Sequence, residues 1–300
     1  AIMQHVEPAG IHSGDSASMI PAMGISMKMH KEITRASKEL ARRLNVCGLM
    51  NIQFAVKDEQ LYVIEVNPRA SRTVPFVSKA IGKPLAKMAA QIMAGKTLAE
   101  LGFTQEITPE YHCVKEAVFP WGRFPGIDVV LGPEMKSTGE VMGIDPDPDI
   151  AFAKSQVSAF NPLPTEGKVF ISVNDRDKER VLHMARQLAD MGFTLCATRG
   201  TMIHLLQHDI ECERAYKVNE ARRPNIVDHI KNGDIDFIIN TPGSHDARAD
   251  DIIIRSSAIA AKTSYCTNLA SAQACVNAIE ALKNRNLQVC TIQEYHAQTL

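Results

Sequence analysis

The stretch Leu61-Tyr-Val-Ile-Glu-Val-Asn-Pro-Arg-Ala-Ser-Arg-Thr73 begins as an alternating strand and ends with two arginines. Alternate side chains of a strand share a face, so Glu65 and Asn67 are expected to project side by side. The same alternation predicts that Leu61 and Val63 lie on this face too. A carboxylate and an amide held next to each other are suited to binding a hard cation.

The segment before this stretch is a second predicted strand, 49–56, and it brings Gln53. The polar turn at 57–60 is short enough for the two strands to form an antiparallel hairpin. If paired residue numbers sum to 118, Gln53 lies opposite Glu65, with Cβ atoms about 5 Å apart. Three oxygen-bearing side chains, including Asn67, would then hold Mg²⁺, which keeps its other positions for phosphate and water.

Arg69 and Arg72 follow the strand directly, and Pro68 restricts the backbone before the first of them. A planar guanidinium binds a carboxylate or a phosphate with two parallel hydrogen bonds. The alternative is that both arginines are solvated surface charges. Their position beside three oxygen ligands favours a nucleotide–magnesium site on a sheet.

The composition excludes several classes of protein. The 33 Lys and Arg against 34 Asp and Glu leave a net charge of −1, so no basic field indicates nucleic acid. No apolar run approaches the ~18 residues of a membrane-spanning helix, and no secretory signal is visible at the start. The seven cysteines form no CxxC pair, which favours a reducing, cytoplasmic setting. His204 and His208 have helical i,i+4 spacing but no HExxH motif, which favours a surface or half-buried helix face over a metal site.

The pattern of elements predicts an α/β protein of two domains, 1–160 with mixed α+β structure and 161–300 with a parallel sheet, joined at a proline-containing linker near 161–167. The first domain is predicted to contain helices at 28–45, 84–95 and 149–160 and strands at 49–56, 61–67 and 111–119. The second alternates strand and helix, which predicts a parallel sheet covered on both faces. Its predicted strands are Val169–Val173, Thr194–Ala197, Ala215–Val218, Asp236–Ile239 and Ser264–Cys266, with helices near 178–191, 201–208, 225–232, 249–261 and 270–283.

The residues 65–80 resemble the metal-binding strand of ATP-grasp ligases, and most closely that of carbamoyl phosphate synthetase large subunits. The segments 10–16, 48–56, 131–143 and 177–180 match the same family. The resemblance implies a C-terminal fragment. It would comprise the end of the second ATP-grasp half, followed by a Rossmann-like, methylglyoxal-synthase-like allosteric domain.

The resemblance also implies roles for individual residues. ATP would be bound by Gly10, Ile11, His12, Ser13, Gln53 and Glu65. The metal, Mg²⁺ or Mn²⁺, would be bound by Gln53, Glu65 and Asn67, and K⁺ is a further expected cation. Arg69 and Arg72 would be catalytic, holding carbamate and the transferred phosphoryl group. The loop 10–16 on its own is equally consistent with capping the next segment.

Polar residues recur where the strands of the second domain end, and ligands of open α/β sheets bind at that edge. The resemblance implies that a nucleotide effector, UMP or IMP, is bound by Lys178, Thr198, Thr201, Lys217, Asn240 and Thr241. Pro242 stands where a hydroxyl residue is expected in the family. Ornithine would be bound at the domain junction by Glu7, Asp15, Glu116 and Thr267.

The function expected from the resemblance is ATP-dependent phosphorylation of carbamate to carbamoyl phosphate, for pyrimidine and arginine biosynthesis, with a glutaminase small subunit as partner. The sequence leaves open whether the chain forms a homo-oligomer. These 300 residues contain no glycine-rich phosphate loop with its lysine, so the chain alone is expected to be inactive. The alternatives are another ATP-grasp carboxylate-amine ligase and a stand-alone nucleotide-sensing module. A third possibility is methylglyoxal synthase activity, but the sequence shows no obvious pair of catalytic aspartates near the strand ends.

Overall fold

The computed structural model describes residues 1–124, 126–243 and 248–298. The strands form a four-stranded antiparallel sheet, a two-stranded hairpin and a five-stranded parallel sheet. Within the described residues, no helix is both long and apolar enough to cross a membrane. The mixed α/β fold class predicted from the sequence is confirmed.

The first half of the chain contains the antiparallel sheet, ordered β1-β2-β5-β6, and the hairpin. Its elements are β1 (Gln4–His5), β2 (Ser18–Ile20), α1 (Met27–Arg43), β3 (Asn51–Lys57), β4 (Gln60–Asn67), α2 (Val74–Ile81), α3 (Leu85–Met93), β5 (His112–Val118), β6 (Gly139–Asp145) and α4 (Pro148–Ser158). Helix α2 was not predicted. It directly follows the arginine segment, and Gly82 ends it in a left-handed conformation (φ 66°).

The second half contains the parallel sheet, ordered β11-β10-β7-β8-β9. Its elements are β7 (Lys168–Ser172), α5 (Lys178–Asp190), β8 (Thr194–Ala197), α6 (Arg199–Leu206), β9 (Glu213–Arg214), α7 (Ile226–Asn232), β10 (Phe237–Asn240), α8 (Arg248–Ala261), β11 (Ser264–Cys266), α9 (Leu269–Asn284) and α10 (Ile292–Gln298). Four of the five predicted strands lie within one residue of the observed ones.

The predicted strand Ala215–Val218 is wrong. The observed strand β9 is shorter and earlier, and it pairs with β8 at the edge of the sheet. After it the chain turns, because the Glu220 carboxylate accepts a hydrogen bond from the Lys217 N–H (3.4 Å) and a short 3₁₀ helix, Val218–Glu220, begins there. Lys217 therefore lies on a turn and not in a strand.

The hairpin β3–β4 turns through Asp58 and Glu59, both with positive φ (51° and 58°). Positive φ at both central residues is the conformation that joins two twisted strands by a two-residue loop. The pairing of Lys57 with Gln60 closes the hairpin. The local polar sequence thus fixes the register on which the oxygen ligands depend.

Helix α4 lies between the two larger sheets and contacts β5, β6 and α9. Its buried residues Ala151 and Phe152 share one core with Val169 of the parallel sheet and Ile279 of α9. Helix α10 was also not predicted, and it returns to the antiparallel sheet, where the Tyr295 hydroxyl donates to the Ile144 carbonyl (3.1 Å). Helix α10 therefore packs on the antiparallel sheet of the first half of the chain.

Candidate functional site

A cavity of about 930 Å³ lies between the hairpin β3–β4, the loop 9–14 and the segment that leads into α2. Seven residues predicted to bind nucleotide or metal or to act in catalysis line it: His12, Ser13, Gln53, Glu65, Asn67, Arg69 and Arg72. The structure therefore brings together residues that are up to 60 positions apart in the chain. Among the described residues, Gly10 and Ile11 fall outside this lining, because a turn closed by the Ile11 N–H and the Pro8 carbonyl (3.0 Å) precedes it.

The register of the hairpin matches the predicted one at the site. Gln53 pairs with Glu65 and Asn51 pairs with Asn67. The predicted strict alternation along β4 is wrong, because the register shifts after Gln53 and Phe54 pairs with Val63. A bulge of this kind re-aims the side chains next to it and often lies beside a binding site.

The oxygen ligands on the hairpin are available to a cation. Within the described residues, the side chains of Gln53, Glu65 and Asn51 make no hydrogen bond or ion pair, and Asn67 only accepts a long contact from Arg69 (3.4 Å). One carboxylate and three amide oxygens fit a hard divalent cation such as Mg²⁺ or Mn²⁺. Asn51 was missed from the sequence, although the register that pairs Gln53 with Glu65 also pairs Asn51 with Asn67.

Arg72 is held in place by Ser137 and by the loop that follows His12. Its guanidinium donates to the Gly14 carbonyl (3.2 Å), to the Ser137 carbonyl (3.1 Å) and to the Ser137 hydroxyl (2.6 Å). A Cβ atom on Gly14 would lie 3.0 Å from an Arg72 nitrogen, so a larger residue there would displace the guanidinium by a few tenths of an ångström. Arg69 is exposed and donates to the Ala70 carbonyl (2.9 Å). Arg72 is thus fixed at the cavity wall, whereas Arg69 lies toward solvent.

A group of buried or half-buried charged residues surrounds Lys115 of β5: Glu7, Glu116 and Glu140. Lys115 is fully buried and donates to the Ser13 carbonyl (3.2 Å). Burial lowers the pKa of Lys115, and the nearby carboxylates of Glu140, Glu116 and Glu7 oppose that shift. Lys115 was not predicted as a functional residue, since only the fold reveals that it links the cavity loop to the domain junction.

Glu7 and Glu116, two of the predicted ornithine ligands, lie close enough to repel each other. Burial raises the pKa of Glu116 to about 8, and the Glu7 charge adds to the shift. Burial also raises the pKa of Glu7, whose carboxylate accepts from the Ala17 N–H (2.8 Å) and the Ser271 hydroxyl (2.8 Å). Two carboxylates pushed toward neutrality favour a cationic partner between them.

The other two predicted ornithine ligands, Asp15 and Thr267, have different surroundings. Asp15 is buried and its carboxylate accepts from the backbone N–H groups of Lys136 (2.7 Å) and Ser137 (2.9 Å). Both of its oxygens therefore fix the segment that also holds Arg72. Thr267 follows β11 and precedes Asn268, whose side chain caps α9 by accepting from the Ser271 N–H (2.9 Å).

In the second half of the chain, four predicted effector ligands surround the end of β7. The Ser172 hydroxyl lies 3.3 Å from that of Thr198, and the Val173 N–H donates to Thr201 (3.4 Å). The Asn174 N–H donates to Thr241 (3.0 Å), and the Asn240 amide donates to the Ser172 carbonyl (3.3 Å). The carboxyl ends of neighbouring parallel strands thus meet, as the sequence predicts.

The two remaining predicted effector ligands, Lys178 and Lys217, lie near carboxylates, and Asn240 makes further hydrogen bonds. The Lys178 ammonium pairs with Asp175 (2.7 Å) and lies against Gly200 at the start of α6. Lys217 lies near Asp250, whose pKa burial raises and the Lys217 charge lowers. Asn240 is fully engaged, because its carbonyl accepts from the buried Arg255 (2.8 Å) while its amide also reaches Asp251 (3.2 Å).

Comparison with known families gives two matches. Residues 2–101 match the family described as carbamoyl-phosphate synthase L chain, ATP binding domain. Residues 180–267 match the MGS-like domain. The first match contains the whole cavity lining except Ala1 and Met135, and the second contains Thr198, Thr201, Asn240 and Thr241.

Curated relatives match along almost the entire chain. The carbamoyl phosphate synthase large chain of Archaeoglobus fulgidus is 50% identical over 99% of this chain. That of Pasteurella multocida is 51% identical over 100%, and that of Synechocystis sp. is 50% identical over 98%. The chain is homologous to carbamoyl phosphate synthase large chains. It spans 28%, 28% and 27% of the length of these three carbamoyl phosphate synthase large chains, respectively.

Proposed function

We propose that this chain forms the phosphate- and metal-binding side of an ATP-grasp site that phosphorylates carbamate. The observation that carries the proposal is the in-register pair Gln53–Glu65, which lines one cavity with Asn67 and Arg72. A carbamate oxygen would attack the γ-phosphorus of ATP while the bond from that phosphorus to the β,γ-bridging oxygen breaks. The products are carbamoyl phosphate and ADP.

Each side chain contributes binding or charge neutralisation. Gln53, Glu65 and Asn67, with Asn51 beside them, would hold Mg²⁺ or Mn²⁺, which neutralises the phosphate charge. Arg72, fixed by three hydrogen bonds, would donate to the phosphoryl oxygens without first having to be ordered. Phosphoryl transfer requires little of a protein beyond such positioning and neutralisation. The same assignment includes K⁺, a glutaminase small subunit, a cytoplasmic location and a role in pyrimidine and arginine biosynthesis.

The test is a chimera in which this chain replaces the matching 28% of the Pasteurella multocida large chain. The partial reaction is measured as ATP formation from carbamoyl phosphate and ADP. The chimera is expected to form ATP, while the 300 residues alone form none because they lack the glycine-rich loop with its lysine. A folded chimera that binds ADP but forms no ATP would contradict the proposal. ATP formation by the 300 residues alone would contradict the proposal that the chain forms only one side of the site.

We also propose that the edge formed by Thr198, Thr201 and Thr241 binds a nucleotide effector such as UMP or IMP, with Lys178 supplying a positive charge and Lys217 and Asn240 completing the site. Three hydroxyl groups at the carboxyl ends of parallel strands support a phosphate site. Titration of the chain with UMP and IMP tests this site, and a chain that binds neither nucleotide would contradict the assignment. A stand-alone sensor would also bind UMP, but the chimera that contains it would form no ATP.

We propose that ornithine binds beside Glu7 and Glu116, with Asp15 and Thr267 at the edges of the site. Because the pKa of Glu116 is raised to about 8, this carboxyl is mainly protonated at pH 7 and must lose its proton when it pairs with an ammonium group. Ornithine affinity is therefore expected to increase from pH 6 to 8, by at most about tenfold per pH unit, and to level off above pH 8.

Calorimetry of the chain in buffers of different ionisation enthalpy measures both the affinity and the proton release. Glu116→Gln is expected to abolish the proton release. The matched control is Glu110→Gln, an exposed carboxylate just before β5, which is expected to leave both quantities unchanged. An affinity that stays constant from pH 6 to 8 would show that Glu116 does not contact the amine.

A further inference from the structure

We propose that Glu179, His204 and His208 bind one divalent transition-metal ion of the Zn²⁺ class, at a site separate from the magnesium site of the ATP cavity. One ligand atom from each side chain lies within 4.8 Å of those of the other two. Glu179 is in the first turn of α5, His204 is in the last turn of α6, and His208 follows two residues after α6. The site therefore joins two helices on one side of the parallel sheet.

The geometry around His204 is close to that of a metal ligand. Its Nε2 atom is buried and has no hydrogen-bond partner among the residues that the structure describes, yet it lies 3.4 Å from a carboxylate oxygen of Glu179. Two ligands of a tetrahedral ion with bonds of about 2.0–2.1 Å are about 3.3 Å apart. A buried nitrogen without a partner costs free energy that a bound cation would offset.

His208 has the tautomer that a metal ligand requires. Its Nδ1 atom lies 2.9 Å from the His204 carbonyl oxygen, and a carbonyl can only accept, so Nδ1 carries the proton. The Nε2 lone pair of His208 is then free for a metal. Backbone carbonyls orient the imidazoles of protein metal sites in this way. The two rings are 4.7 Å apart between centroids, so a small side-chain movement brings both to one ion.

The surroundings admit a small cation and indicate its class. The Glu179 side chain is 75% exposed and that of His204 is 16% exposed, so an ion can reach the site from solvent. The adjacent Lys178 charge is balanced by Asp175 at 2.7 Å. Two imidazoles and one carboxylate favour Zn²⁺ and its neighbours over Mg²⁺ and Ca²⁺, which prefer oxygen ligands. The ion would hold α5 against α6 beside Thr201.

The experiment is calorimetric titration of the chelator-treated 300-residue chain with ZnCl₂, and with CoCl₂ followed by visible absorption. One ion per chain is expected, with an increase in Tm on Zn²⁺ addition. His208→Ala and Glu179→Gln are each expected to weaken Zn²⁺ binding by at least about tenfold and to remove the Co²⁺ absorption band. Glu179 is exposed and His208 is only half-buried, so these variants are expected to remain folded.

His183 supplies the matched control. It is exposed on α5, four residues after Glu179, so these two side chains share a helix face and could bind an ion without α6. His183→Gln is expected to leave Zn²⁺ affinity unchanged. The proposal is overturned if Zn²⁺ fails to bind, if His183→Gln abolishes binding, or if His208→Ala binds as tightly as the parent chain.

Discussion

Replacing Glu65 by glutamine will lower the rate of ATP formation from carbamoyl phosphate and ADP in the chimera by about 10²–10³-fold. Among the hairpin residues that line the cavity, Glu65 is the only one with a carboxylate. Glutamine keeps its size and one acceptor oxygen but removes the charge that holds a divalent cation against the phosphates. The loss is expected mainly in kcat/KM for ADP, and added Mn²⁺ is expected to restore part of it.

The matched control for this prediction is Glu59→Gln, in the turn of the same hairpin. Glu59 pairs with Lys28 at 3.4 Å, and both side chains are about three-quarters exposed, so the pair contributes little to stability. The Glu59→Gln chimera is expected to form ATP at the rate of the parent chimera. The Tm of the Glu59→Gln and Glu65→Gln chimeras is expected to equal that of the parent. Equal rates for Glu65→Gln and Glu59→Gln would remove Glu65 from the site.

Replacing Gly143 by alanine will destabilise the chain by at least about 3 kcal/mol. A Cβ atom on Gly143 would lie 2.0 Å from the Ala151 carbonyl oxygen and 2.6 Å from the Ser155 nitrogen. Both atoms belong to the backbone of α4, so no side-chain rotation relieves the overlap. Helix α4 would have to move away from β6 and would disturb the core that it shares with α9.

Gly139→Ala, on the same strand, is the control. The nearest atom to a Cβ at that position is Val118 Cβ at 4.0 Å, which is an ordinary contact. Urea unfolding of the 300-residue chain is expected to give a midpoint near that of the parent for Gly139→Ala and a much lower one for Gly143→Ala. Coincident midpoints would show that β6 and α4 do not approach as closely as described.

Local sequence patterns were sufficient for most elements of the second half, because each strand is a short apolar run bounded by turn residues. They failed at residues 215–218, where the capping carboxylate of Glu220 and pairing at the sheet edge decide the conformation. They also missed α10, since the short segment Ile292–Gln298 acquires its apolar contacts only by returning to the antiparallel sheet. Short helices of this kind depend on packing and not on propensity.

The hairpin at the site was largely predictable, since strand length, a two-residue turn and the sum of paired numbers place Gln53 opposite Glu65. The bulge after Gln53, where Ile64 is the extra residue of β4, was not predictable from alternation, because the sequence pattern is the same with or without it. The link from Lys115 to Ser13 and the fixing of Arg72 by Ser137 join residues 65 to 102 positions apart. Such contacts carry no local signal.

The sequence by itself determined most of the elements and the pairing of Gln53 with Glu65, because periodicity and turn chemistry act over a few residues. Only the tertiary structure decided that α4 joins two sheets in one core, that buried Lys115 lies among carboxylates, and that Glu179 meets His204. These features arise where distant segments exclude water together, so the resulting burial and charge depend on the whole fold.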